Sequence, residues 1–330
     1  MKEKAASTAL VALGIALASV LLCGCRQKQA VDIPHETLTY VAVGGCELQA
    51  DVYRSPGDET RPAILWLHPG GLITLSRDWI PSAQVQMYLE AGYVVVAIDH
   101  RLAPETKLEA ILEDLHSAYR WMRGEGGEAY NIDPDRIAVV GHSAGGYLAL
   151  TAGYLLDPAP KAIVSFYGYG DISGAWYSEP SPYYSQREPV SEPAANAAIL
   201  SDGIAPCGLS ADEIDMRFSF YVRTRQLGTW PEEVTGRDPD VDLDWFAAYE
   251  PVQNVSAEYP PTLLLHGEAD EDVPFQQSIA MVAEFESFGV EHDLISDARW
   301  GHIFDERFAG EADVEVALRQ VIEFLDAYLK

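Results

Sequence analysis

The chain has 330 residues, room for one large domain or two ordinary ones, and 48% are apolar against 22% charged, the mix of a globular protein with a sizeable core. Seventeen Tyr, seven Trp and ten Phe exclude disorder as a description of the whole chain. With 22 Lys plus Arg against 51 Asp plus Glu, the formal charge of −29 repels a phosphate backbone and an anionic bilayer alike, which excludes nucleic-acid binding and a basic membrane patch.

Lys2 and Lys4 precede an apolar run, Ala9 to Leu22, too short to span a bilayer and built like a secretory signal peptide. The run ends Leu22-Cys23-Gly24-Cys25. This resembles the bacterial lipobox, which implies cleavage after Gly24 and a lipid on Cys25. A plain signal peptide cut nearby, or a retained anchor helix, is the alternative. Residues 1–24 are then the signal peptide, 25–35 a polar tether and 36–330 the folded domain. The protein is expected to be exported and lipid-anchored at a bacterial membrane surface, or else secreted or periplasmic, with the N-terminal lipid as its membrane contact. Cys46 and Cys207 lie in different regions and read as two free or buried thiols. No cysteine pair has zinc-ligand spacing and no His-Glu-x-x-His occurs, so no metal or other cofactor is expected.

In chain order, Leu38–Val41 and Leu48–Tyr53 flank Gly44-Gly45 as an opening hairpin. Ala63–Leu67 and Tyr93–Ile98 are continuous apolar runs, expected of strands covered on both faces, with a helix over Ala83–Glu90 between them. Leu108, Ile111, Leu112, Leu115, Tyr119 and Met122 recur at helical spacing up to Gly124. Arg136–Val140 is a strand, Ala144–Leu156 a helix and Ala162–Phe166 a strand. Thr262–Leu265 and His292–Ile295 are two further strands, separated by a helix near Phe275–Phe288, and Val314–Tyr328 closes the chain as an amphipathic helix. This alternation predicts an α/β fold: a mostly parallel eight-stranded sheet flanked by helices, with the first pair antiparallel. The stretch from about 168 to 259 is too long for an ordinary crossover and is expected to form a cap-like insertion over the sheet's C-terminal edge. The alternative is an insertion that never touches substrate.

The chemistry concentrates in four places. Gly141-His142-Ser143-Ala144-Gly145-Gly146 is a G-x-S-x-G pattern running from a predicted strand into a predicted helix, the arrangement of a nucleophile elbow. Ser143 in such a turn exposes its hydroxyl, and the helix N-terminus behind it favours a developing oxyanion. His68-Pro69-Gly70-Gly71 follows a buried strand, so Gly70 and Gly71, with Ala144, can present backbone N–H groups to that oxyanion. His68 reads as a loop organiser. Of eight histidines, His302, in Trp300-Gly301-His302-Ile303-Phe304, sits where a general base can reach over the sheet edge. His266 precedes Gly267 and reads as shaping that turn, and His142 points away from the site if Ser143 points in. Glu268, Asp270, Glu271 and Asp272 crowd the end of the Thr262–Leu265 strand; Asp270 is the expected partner of His302, with Asp272 in reserve.

On these motifs the chain resembles α/β-hydrolase serine esterases of the hormone-sensitive-lipase-like and BD-FAE-like group from about Leu38 onward. His68-Pro69-Gly70-Gly71 stands where the group has His-Gly-Gly-Gly, and Asp99-His100-Arg101-Leu102-Ala103-Pro104-Glu105 resembles its Asp-Tyr-Arg-Leu-Ala-Pro-Glu. Pro69 is a departure that stiffens the loop without removing an expected donor. The resemblance implies Ser143, Asp270 and His302 as triad, and Gly70, Gly71 and Ala144 as oxyanion donors. It also implies an acyl-enzyme mechanism on small or carbohydrate-linked esters of acetyl or feruloyl type. Asp99 and Arg101 read as structural. Trp79, Trp176, Tyr183, Tyr184 and Trp300 either line an aromatic acyl or sugar site or pack the core and cap. A prolyl-oligopeptidase-like peptidase and a non-catalytic binding protein on the same scaffold are the other readings.

Overall fold

The computed structural model describes residues 33–199 and 209–330. The signal peptide, Cys25, the first part of the tether and Cys207 lie outside the described residues. Eight strands form one sheet: β1 (Glu36–Val43), β2 (Cys46–Tyr53), β3 (Arg61–Leu67), β4 (Val94–Ile98), β5 (Ile132–His142), β6 (Ala162–Phe166), β7 (Thr262–Gly267) and β8 (His292–Asp297). Their order is β1-β2-β4-β3-β5-β6-β7-β8. The first pair is antiparallel, as expected, and so is β2 against β4; every later pair is parallel.

The continuous apolar runs have a simple origin. In β3, Ala63, Leu65 and Leu67 enter one core cluster, while Ile64 and Trp66 enter the other. A strand whose two faces are both covered cannot alternate apolar with polar. Helices Leu108–Arg123, Ala144–Leu155 and Gln276–Phe288 supply the first cluster through Ile111, Leu115, Leu148 and Met281. Ser82–Glu90 and Ala312–Leu329 supply the second through Val85, Tyr88, Val321 and Leu325. Among the described residues no helix is long and apolar enough to cross a membrane.

The segment between β6 and β7 carries the helices Ala175–Ser178, Glu192–Ala195, Ala211–Leu227, Trp230–Thr235 and Leu243–Tyr249. Its Tyr177 stacks on Trp230 at 3.9 Å, and both are buried with Phe220, Tyr221 and Phe246 in the first core cluster. The charges of the segment Asp99–Glu105 fix separate pieces of chain. Asp99 accepts from the Arg77 backbone and guanidinium, Arg101 pairs with Asp114 at 2.7 Å, and Glu105 accepts both arms of Arg217 at 2.9 Å. Arg217 also donates to the carbonyls of Ile73 and Ala103, so one buried guanidinium joins the insertion to the chain after Gly70-Gly71.

One expectation is corrected. Cys46 is disulfide-bonded, not a free thiol, and its partner lies outside the described residues. Spacing along the chain could not reveal this, because pairing depends on where folding brings the second sulfur.

Candidate active site

Ser143 sits between β5 and the helix Ala144–Leu155 with φ 54° and ψ −115°, a conformation a non-glycine residue rarely takes. Close backbone contact holds it there. A Cβ on Gly145 would stand 2.1 Å from the Leu67 carbonyl oxygen and 2.8 Å from that of His68, so only glycine lets the elbow pack on the end of β3. The end of β3 and His68 are thereby brought against the elbow, and Gly70 and Gly71 follow two and three residues later in the chain. Leu72, Ser143, Tyr167 and Ile303 all have positive φ, so four strained residues lie in the loops that meet here.

His302 follows β8, and its ring stands edge-on to Tyr167 at 4.7 Å. Its Nε2 lies 3.1 Å from Ser143 Oγ and its Nδ1 2.7 Å from Asp270 Oδ2. Asp270 is fully held: its Oδ1 accepts the backbone N–H groups of Asp272 and Val273 at 2.9 Å each, and His266 Nε2 lies 3.4 Å from Oδ2. Burial alone would raise the Asp270 carboxyl; His302 and His266 outweigh it and hold it well below the usual carboxylate range. Burial would likewise lower His302, but Asp270 outweighs it and leaves the imidazole above its ordinary value, with Asp272 adding to the rise. A hydroxyl, an imidazole and an ionised carboxylate in one line can take a proton from the hydroxyl and stabilise the resulting imidazolium.

The N–H groups of Gly70, Gly71 and Ala144 have no hydrogen-bond partner among the described residues. Gly71 is covered from outside by Tyr221, its carbonyl accepting from Trp230 Nε1 at 2.9 Å. Insertion residues therefore touch the loop that would supply the oxyanion donors. The other singled-out residues fall elsewhere. His68 and His100 are buried and stacked at 4.2 Å, each Nδ1 against a backbone carbonyl, and burial lowers both. Asp272 does not face His302 Nδ1; it meets Arg225, Tyr184 and Tyr221 of the insertion. Trp300 stacks on Phe304 in the core, and Trp176 packs against Tyr177. Among the described residues no group of three or more His, Cys, Asp or Glu is gathered as a metal site.

Sequence reasoning missed a second carboxylate network behind the first. Asp305, three residues after His302, accepts from Gln84 Nε2 at 2.7 Å and Tyr167 OH at 2.8 Å, and lies 3.2 Å from His142 Nε2. His142, stacked on Phe166 at 4.2 Å, does point away from the elbow. Burial would raise Asp305, but His142 and Tyr167 prevail and lower it. Asp305 thus ties the loop bearing His302 to His142, the last residue of the strand that leads into Ser143. The only sequence signal was an acid within one turn of a candidate base, too common to weigh.

A family described as alpha/beta hydrolase fold matches residues 64–306. Among curated proteins, methylphloroacetophenone synthase of Cladonia uncialis is 27% identical over 326 residues, which cover 86% of this chain but 13% of that protein. The chain therefore spans only about an eighth of the length of such relatives. Among solved structures, the EstE1 carboxylesterase from a metagenomic library superposes with a TM-score of 0.67 at 21% identity, covering 95% of this chain and 94% of that one. The propionate-bound esterase Est2 of Thermogutta terrifontis superposes with a TM-score of 0.62 at 23% identity, covering 90% and 95%. At these identities the structural likeness speaks for the fold.

Replacing Asp305 by Ala strands His142, Gln84 and Tyr167 together. A loss of about 3 kcal/mol in unfolding free energy is expected, read by denaturant titration. A loss under about 0.5 kcal/mol would contradict the anchoring role.

Proposed function

We propose that this chain, which belongs to the alpha/beta hydrolase fold family, is a serine carboxylester hydrolase working through an acyl-enzyme. The observation that carries the reading is the Ser143–His302–Asp270 line, 3.1 and 2.7 Å between successive partners. His302 takes the Ser143 proton as Oγ attacks the ester carbonyl. The carbonyl oxygen becomes negative and is held by the N–H groups of Gly70, Gly71 and Ala144. His302 then gives its proton to the departing alcohol, and water repeats the cycle on the acyl-enzyme. Asp270 fixes the tautomer and supports the imidazolium. The solved esterases of the same fold, one holding propionate, support an ester of a small acid as substrate class. The proposed natural substrates are short-acyl or feruloyl esters, free or carried on carbohydrate, with the insertion at about 168–259 acting as a cap.

The N-terminal sequence supports a proposed site of action outside the cytoplasm. Lys2, Lys4, the apolar run and Cys25 support export with a lipid on Cys25. The disulfide at Cys46 supports an oxidising compartment.

The ester reading is tested by hydrolysis of p-nitrophenyl acetate, butyrate and octanoate beside methyl ferulate, wild type against Ser143→Ala. Turnover by the wild type and a loss on the order of 10⁶ in kcat for the variant are expected. Turnover that survives in Ser143→Ala would assign the chemistry elsewhere. The pH profile gives a second check. Catalysis needs neutral His302, and its pKa is raised, so activity is fully present only above that pKa and falls as pH drops through it. The acid limb of kcat/KM should have its midpoint above about 6.5, the ordinary histidine value. A midpoint below the ordinary histidine value would contradict the Asp270 pairing.

A further inference from the structure

Asp272 is the one carboxylate of the Glu268–Asp272 cluster that approaches His302 from the side facing Ser143. Its Oδ2 lies 3.8 Å from His302 Nε2, the nitrogen that also stands 3.1 Å from Ser143 Oγ. The two oxygens of Asp272 are unequally occupied. Oδ1 accepts from Arg225 Nη1 at 2.8 Å and Tyr221 OH at 2.9 Å. Among the described residues, Oδ2 accepts a hydrogen bond from Tyr184 OH alone, at 2.9 Å, and 13% of the Asp272 side chain remains exposed. A carboxylate oxygen has room for a second donor.

Arg225 is buried at 2% exposure, and its guanidinium lies over the rings of Trp176, Tyr177, Tyr184 and Tyr221, 4.5 to 5.8 Å from their centroids. It also donates to the carbonyls of Trp176 and Asp272. This cation already neutralises Asp272, so the open side of Oδ2 calls for a neutral donor, not a second cation. The donor's place in the reaction follows from the same distances. In ester cleavage, Nε2 delivers its proton to the departing oxygen, so the alcohol half of the substrate must lie beside Nε2. A group carried on the carbon next to that oxygen comes within reach of Oδ2.

We propose that Asp272, held by Arg225, Tyr184 and Tyr221, selects esters whose leaving alcohol carries a second hydroxyl beside the scissile oxygen, as in a polyol or a sugar. The inference rests on the ester reading above and narrows it to the alcohol side. The vicinal hydroxyl donates to Oδ2, Ser143 Oγ bonds to the acyl carbon, the ester C–O bond breaks, and the alcohol leaves with the proton from His302 Nε2. An alkyl alcohol of the same size covers Oδ2 and removes it from water with nothing in exchange, which raises the barrier. No pairwise spacing in the sequence could reveal this, because Tyr184, Tyr221 and Arg225 belong to the insertion and meet Asp272 only in the fold.

The test is the ratio of kcat/KM for 2-hydroxyethyl acetate to that for n-propyl acetate, repeated with the two butyrates so that the acyl half cancels. The wild type is expected to favour the hydroxyl ester by about tenfold or more, a charge-assisted hydrogen bond's worth. The double substitution Asp272→Val with Arg225→Met removes both charges together, and the ratio is expected to fall to about one. A wild-type ratio within about twofold of one overturns the proposal without any variant. So does a high ratio that survives the double substitution in a protein with a cooperative melt. Should the double variant not fold, Tyr184→Phe decides: freeing the other side of Oδ2 should move the ratio by about threefold or more, and an unmoved ratio overturns the proposal. Folded wild-type protein that cleaves no ester at all overturns the ester reading itself, and this inference with it; cleavage of p-nitrophenyl esters without hydroxyl preference overturns this inference alone.

Discussion

The absence of a side chain at Gly145 is the constraint from which the rest of the site follows. With the Leu67 carbonyl only 2.1 Å from where a Cβ would be, the start of the helix Ala144–Leu155 rests directly on the end of β3. That contact holds the positive-φ turn at Ser143 against the end of the strand from which the Gly70-Gly71 loop departs. β3 and β5 pair in parallel through Leu67 and Gly141, so both loops leave the sheet at the same edge. The edge is where the other functional loops end too, since β6, β7 and β8 continue the parallel set.

Buried charge then fixes those loops. Three carboxylates do three different jobs. Asp270 uses one oxygen to close its own turn and the other to meet His302. Asp305 uses both oxygens to bind the loop after His302 to Tyr167, Gln84 and His142. Glu105 holds Arg217 and through it the chain after Gly71. An acidic surface charge of this size says little about such pairs; what matters is that each buried acid has its donors at hydrogen-bond distance.

The strands were legible because β3 and β4 are apolar on both faces, a pattern that local sequence shows directly. The antiparallel contact between β2 and β4 was not, since strand order is a property of pairing and leaves no mark on either strand alone. The gathering of Ser143, His302 and Asp270 was expected from chain order and turn chemistry, and the structure brings those three side chains together. Between Asp270 and Asp272, only the turn decided: the N–H groups of 272 and 273 point back at Asp270, which leaves Asp272 to the insertion. Asp305 and Arg225 leave no local signal because their ionic or hydrogen-bonding partners Tyr167 and Asp272 are 138 and 47 residues away in sequence, and an isolated charge on a helix looks like solvated surface. The Cys46 disulfide, too, leaves no mark on the local sequence, because pairing is decided by the fold.

The central claim is that Ser143 is a nucleophile activated by His302. Its most direct measurement is peptide mapping by mass spectrometry after treatment of the folded protein with a fluorophosphonate. The account predicts one adduct per chain, on the peptide bearing Ser143, formed far more slowly when His302 is replaced by Ala. A folded protein that takes no label, or takes it on another residue, would contradict it.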